Sequence, residues 1–161
     1  MNRNNLSKLI WGTLAAIALT ISSCAREDEQ IVPKAGTDGF FIVNEGAFLG
    51  GNASLSYFDK ATQTMTNNVF VNTTNRPLGD QAQSMTVFND NGYIVVQNSA
   101  KIEVINASDF TSIATITEGI ASPRYFLGAT STKGYVSDWG ADGLTGTVKV
   151  IDLTVNEVVK T

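Results

Sequence analysis

The 161-residue sequence contains no histidine. That absence excludes histidine-based nucleophilic triads, histidine-liganded zinc and the commonest general base near neutral pH. Cysteine occurs once, at Cys24, so no disulfide forms within the chain and a folded domain must be held by its core. Basic residues are few, 11 Lys and Arg against 15 Asp and Glu, and they form no stripe, so no nucleic acid is expected as a partner. Long apolar runs are missing too. The run over residues 9–21 has thirteen residues and would reach ~20 Å as a helix, short of a ~30 Å bilayer core. No nucleophile stands with a base, no glycine loop is built to cradle phosphate, and no carboxylates pair at useful spacing. A binding protein rather than an enzyme is expected, with no cofactor and no metal.

What is present begins with a targeting signal. Arg3 and Lys8 flank the start of the apolar run, and Ile21-Ser22-Ser23 lead directly into Cys24. Small residues ahead of a lone cysteine form a lipobox, which predicts a signal peptide over residues 1–23, cleavage before Cys24 and lipidation of its thiol. A stray free thiol is the competing reading. Residues 24–38 open with Cys24-Ala25-Arg26-Glu27-Asp28-Glu29-Gln30 and carry charge without apolar periodicity, as a flexible acidic tether does. The acidic run resembles the export signal that sends lipoproteins of some Gram-negative bacteria to the outer face of the outer membrane. The expected location is therefore the outer membrane, lipid-anchored and surface-exposed; a plain spacer facing the periplasm is the alternative.

From Gly39 onward the chain consists of Val, Ile, Thr, Phe and Tyr runs broken by Gly, Asn, Asp and Ser, which predicts an all-β domain over residues 39–161. The runs repeat. Gly92-Tyr93-Ile94-Val95-Val96 followed by Lys101-Ile102-Glu103-Val104-Ile105-Asn106 is matched by Gly134-Tyr135-Val136-Ser137-Asp138 followed by Thr147-Val148-Lys149-Val150-Ile151-Asp152. A looser copy is Gly39-Phe40-Phe41-Ile42-Val43 with Ser54-Leu55-Ser56-Tyr57-Phe58-Asp59. The closing Asp59, Asn106 and Asp152 lie 47 and 46 residues apart, the length of one four-stranded propeller blade. In the second unit the spacing predicts strands over residues 83–88, 93–97, 101–105 and 112–117. Alternation sets Ile102 and Val104 against the neighbouring blade with the charges turned away from it. Each closing Asx should cap its turn through backbone two residues on. Pro77 and Pro123 fall at blade boundaries, where a missing N–H costs no ladder bond.

This pattern of Asn/Asp-Gly-Tyr-(Ile/Val)-x-Val, Val-x-Val-Ile-Asp and a closing Val-Val-x-Thr resembles the YVTN or YncE-like β-propellers. Phe41-Ile42-Val43-Asn44-Glu45-Gly46, Gly51-Asn52-Ala53-Ser54-Leu55-Ser56-Tyr57-Phe58-Asp59, Leu78-Gly79-Asp80 and Pro123-Arg124-Tyr125 are similar to a surface-lipoprotein branch described as a domain of unknown function. The resemblance spans residues 39–161 and implies a seven-bladed ring, of which about three blades are present. It also implies capture of a corrinoid, such as a cobamide (vitamin B12), for delivery to a TonB-dependent transporter. Three blades do not close a ring. The expectation is the N-terminal portion of a longer protein, or else a short one that completes its ring by oligomerising.

Ligands of propellers sit where loops converge on the axis, so the loops carry the candidates. Asn44 and Glu45 open the long loop that runs to Asn52, and Asp138 and Trp139 open its counterpart that runs to Gly146. Glycines there permit close backbone approach, while Phe48 and Trp139 offer flat faces for stacking; solvated hairpin loops are the bland alternative. Asp80 and Gln83 precede or begin one inner strand and Arg124 and Tyr125 another, presenting donors and acceptors to an amide-rich ligand. Arg124 paired with a carboxylate to hold adjacent blades is the competing role. Asp138 and Asp142 resemble a calcium loop but lack its oxygen spacing and bidentate Glu. An envelope scaffold that binds protein or glycan, and an enzyme completed by further blades, stand as rival functions.

Overall fold

The computed structural model of the chain describes residues 38–161. The predicted signal peptide, Cys24 and all of the tether but Asp38 lie outside the described residues. Three antiparallel sheets follow one another in sequence. The first comprises β1 (Gly39–Asn44), β2 (Ser54–Asp59) and β3 (Thr64–Thr66). After a short helix, α1 (Val69–Thr74), the second comprises β4 (Ala82–Phe88), β5 (Asn91–Val96), β6 (Lys101–Asn106) and β7 (Ser112–Ile116). The third comprises β8 (Pro123–Thr130), β9 (Lys133–Asp138), β10 (Thr147–Asp152) and β11 (Glu157–Lys160). The strands run in sequence order across each sheet, the arrangement of propeller blades. The second and third sheets are four-stranded, as expected; the first has three strands among the described residues.

The ends of the sheets that carry the Asx turns share one hydrogen bond. Asp59, Asn106 and Asp152 each accept, through Oδ1, the backbone N–H two residues on, at 2.8 Å in every case. The β4–β5 hairpin turns through Asn89 and Asp90, both with positive φ (49° and 62°), the conformation that a two-residue turn matched to strand twist requires. Asn91 and Gly92 already belong to β5.

Strand pairing corrects one alignment. Asn91 pairs with Asn106 and Lys133 with Asp152, but Gly39 pairs with Asp59. Phe40 therefore occupies the place of Gly92 and Gly134, and Phe41 that of Tyr93 and Tyr135, one residue out of step with the apparent repeat. The later sheets need glycine there because a side chain from the inner strand folds over it. A Cβ on Gly134 would meet the Phe126 ring at 2.6 Å, and one on Gly92 would meet Met85.

Two cores lie between the sheets. Leu55, Tyr57, Val69, Phe70, Leu78, Ile94, Val96, Ile105 and Phe110 fill the first junction, with Phe41 edge-on to Phe110 at 5.7 Å. Tyr93, Val95, Ile102, Val104, Phe126, Val136 and Ile151 fill the second, where Tyr93 stacks on Phe126 at 4.0 Å. Ile102 and Val104 face the third sheet as alternation predicted. Glu103 points away from it, yet is buried rather than solvated: Arg76 gives it two hydrogen bonds of 2.6 and 2.8 Å, Lys101 one of 2.6 Å and Thr115 one of 2.8 Å.

Helix α1 was not legible in advance, since Val-Phe-Val-Asn-Thr-Thr has strand propensity. Asn68 and Asn75, both left-handed, bracket its one turn, and Thr74 Oγ1 donates to the Phe70 carbonyl at 2.7 Å. Burial of Val69 and Phe70 in the first core outweighs local preference.

Candidate functional site

The sheet ends opposite the Asx turns differ from one repeat to the next. By register, the residue following the second strand position is Glu45 in the first sheet, Gln97 in the second and Trp139 in the third. The backbone holds this position in place: Gln97 N–H donates to Gln81 C=O at 2.8 Å and Trp139 N–H to Ser122 C=O at 3.0 Å. Three chemically different side chains thus hang from one scaffold position.

Trp139 is half-exposed, at 49%, and the Arg124 guanidinium lies 3.9 Å from its ring centroid. Arg124 also donates through Nη1 to Gln97 Oε1, and Gln97 Nε2 donates to Ser122 Oγ at 3.3 Å. The expected carboxylate partner of Arg124 is replaced by an amide and an aromatic face, a chain that ties the second sheet to the third. Gln97, Asn98, Ser122, Trp139 and residues 140–143 line a cleft of about 370 Å³.

Asp138 is buried beneath this cleft, at 1% exposure, and its two oxygens accept the backbone N–H groups of Ala121 (2.8 Å), Ser122 (2.9 Å) and Gly140 (2.7 Å). It fixes the loop rather than presenting a free acid. Asp142 caps its own turn in the same loop. Backbone N–H groups of Leu144 and Thr145, together with the Thr145 hydroxyl, hold its carboxyl down at about 2. Among the described residues no cluster of three metal-ligating side chains occurs.

Of the remaining candidates, Asp80 and Glu45 lie at the first long loop. Asp80 Oδ2 accepts the Leu49 N–H at 3.0 Å and a hydrogen bond from Asn98 Nδ2, which links the loops of the first and second sheets. Glu45 Oε1 accepts Gln81 Nε2 at 3.3 Å. Asn44 turns into its own sheet and donates to Ser54 Oγ (3.1 Å) and Ser56 Oγ (3.0 Å). Gln83 sits half-buried on β4, while Tyr125 is 61% exposed on β8. The structure thus brings Arg124 and Trp139 together directly, and Asp80 holds Asn98, which lines the same cleft as Trp139; Asn44 and Tyr125 stand apart. Sequence reading missed Gln97, Asn98 and Ser122. Gln97 was within reach, because it follows Val96 as Trp139 follows Asp138 once the repeats are in register.

Chemically, the cleft offers amide donors and acceptors, one hydroxyl, the Asp142 carboxylate and a tryptophan face backed by a cation. Such a set is chemically suited to a polar molecule with a flat apolar side.

No curated protein matches the chain. Among solved structures, the hydrazine synthase of Kuenenia stuttgartiensis aligns with a TM-score of 0.52 at 20% identity, over 66% of this chain and 28% of that one. The chain spans less than a third of that protein's length, and the likeness is one of β-propeller-like fold. A family model matches residues 38–160, and on that match the chain belongs to the family described as Domain of unknown function (DUF5074).

Proposed function

We propose that the protein is a surface lipoprotein that captures a ligand without transforming it. In this reading lipid on Cys24 holds it at the outer membrane, and its propeller presents the ligand to a TonB-dependent transporter. A corrinoid such as a cobamide is the ligand class we favour. The observation that carries the reading is the half-exposed Trp139 backed by Arg124 and flanked by the amides of Gln97 and Asn98. A corrin edge is flat and rimmed with amides, so it could stack on the indole while its amides exchange hydrogen bonds with Gln97 and Asn98. At about 370 Å³ the cleft takes an edge of such a ring, not the whole molecule.

Calorimetric titration of the Cys24→Ser full-length protein with cyanocobalamin tests this. Saturable binding is expected, weakened about five- to thirtyfold in Trp139→Ala, since loss of a stacking platform costs roughly 1–2 kcal/mol. Absence of binding would sink the corrinoid assignment. The small, polar cleft favours a second reading, a scaffold that binds an envelope glycan through one or two sugar rings stacked on Trp139. Oligosaccharide binding lost in the same variant would establish that alternative.

A further inference from the structure

The two amides that line the cleft are pinned in opposite senses. A guanidinium only donates and a carboxylate only accepts, so each dictates which end of an amide it meets. Arg124 Nη1 donates to Gln97, which fixes Oε1 toward the arginine and Nε2 toward Ser122, whose Oγ it reaches at 3.3 Å. Asp80 Oδ2 accepts from Asn98, which fixes Nδ2 toward the aspartate. Asp80 is held in turn: its N–H donates to Ser99 Oγ at 2.9 Å, and its Oδ2 also accepts from the Leu49 N–H.

What is left for a ligand follows by subtraction. Gln97 has one Nε2 hydrogen unspent, and Ser122 Oγ, already an acceptor, keeps its hydroxyl hydrogen. Asn98 keeps Oδ1, which accepts no hydrogen bond among the described residues. The cleft thus offers donors at Gln97 and Ser122 and an acceptor at Asn98, beside the half-exposed ring of Trp139. Asp142 also lines it, whereas Arg124 does not.

We propose that the cleft selects a neutral amide group carried on a ring and discriminates against the corresponding carboxylate. This rests on the binding reading above and narrows the chemistry of its ligand. The amide oxygen accepts from Gln97 and Ser122, and the amide N–H donates to Asn98 Oδ1. A carboxylate has no hydrogen to give, so it sets an oxygen against Asn98 Oδ1 and a negative charge beside Asp142. Asp80 acts through Asn98 and is a positioning residue. Corrinoid side chains and acetamido sugars both carry such an amide.

The test uses the isotopically labelled full chain with Cys24→Ser and two probes of one shape, benzamide and benzoate, at neutral pH where benzoate is ionised. The Trp139 indole N–H resonance, assigned by its loss in Trp139→Phe, should shift with benzamide at roughly tenfold lower concentration than with benzoate. Asp80→Ala should bring that ratio close to one, because the Asn98 amide is then free to turn. Asn98→Ala, at an exposed position, should do the same with less risk to the fold. Displacement of bound benzamide by cyanocobalamin or by N-acetylglucosamine would identify which carrier of the amide enters. Failure of cyanocobalamin to displace it would remove the corrinoid assignment and leave the amide preference standing. Equal or tighter binding of benzoate, no shift with either probe, or a ratio unmoved in both variants would overturn the proposal.

Discussion

The two junctions between sheets are assembled from different interactions, although the sheets repeat. The second is built from the inner strands outward: Tyr93 stacks on Phe126, Ser84 and Thr86 donate to β8 carbonyls, and Arg124 reaches Gln97 and Trp139. The first has no inner strand among the described residues and draws on material between the sheets instead. Helix α1 inserts Val69 and Phe70, and Arg76 lies 4.9 Å over the Phe70 ring while its fork grips the buried Glu103. A repeated sheet therefore fixes where a neighbour sits, and the connecting segment decides what joins them.

This contrast can be broken at either junction. Phe126→Ala should have the largest effect, about 3–5 kcal/mol by urea denaturation, because it opens a void beneath a stacked ring in a buried site. Amide exchange should then rise in β8–β11 more than in β1–β3, which would localise the loss to the second junction.

At the first junction Arg76→Ala should cost about 2 kcal/mol. That is less than the usual loss on breaking a buried pair, because Lys101 remains beside Glu103 and the arginine side chain is 36% exposed. The same site sets an acid dependence. Burial pushes the Glu103 carboxyl up, but hydrogen bonds from Arg76, Lys101 and Thr115 outweigh it and hold the group below its ordinary value. A depressed carboxylate contributes stability above its unfolded pKa of about 4.3 and loses it as pH falls through the folded value. Unfolding midpoints should accordingly fall below about pH 4.5, and Glu103→Gln should flatten that slope while lowering stability at neutral pH. A slope unchanged in Glu103→Gln would assign the acid sensitivity elsewhere.

The smallest effect sharpens the comparison. Thr86→Val keeps the strand shape and removes one hydroxyl bond, at a cost of about 1 kcal/mol. The loss should vanish in the Phe126→Ala background if the two act as one unit, as a double-mutant cycle would report.

Much of this was legible in advance, for identifiable reasons. Two-residue alternation in Lys101-Ile102-Glu103-Val104 announced β6 and its face toward the third sheet, because a strand cannot bury every second residue without exposing or pairing the others. Asx residues at the turn ends act through their own backbone and needed no tertiary partner to be read. Trp139 and Arg124 were named as candidates, but their contact was not, and neither was Gln97 between them. Arg124 meets Trp139 through the β8–β9 pairing, and Gln97 joins them only when the second sheet packs beside the third.

The sequence by itself determined the β-rich repeat, the spacing of its blades and the turns that close them, since each depends on residues within a few positions of one another. Tertiary structure alone decided that Glu103 is buried and paired, that Val-Phe-Val-Asn-Thr-Thr coils into a helix, that Phe40 stands where the other sheets need glycine, and that Arg124 backs Trp139. Each of those depends on the side chain or strand that packing brings alongside it.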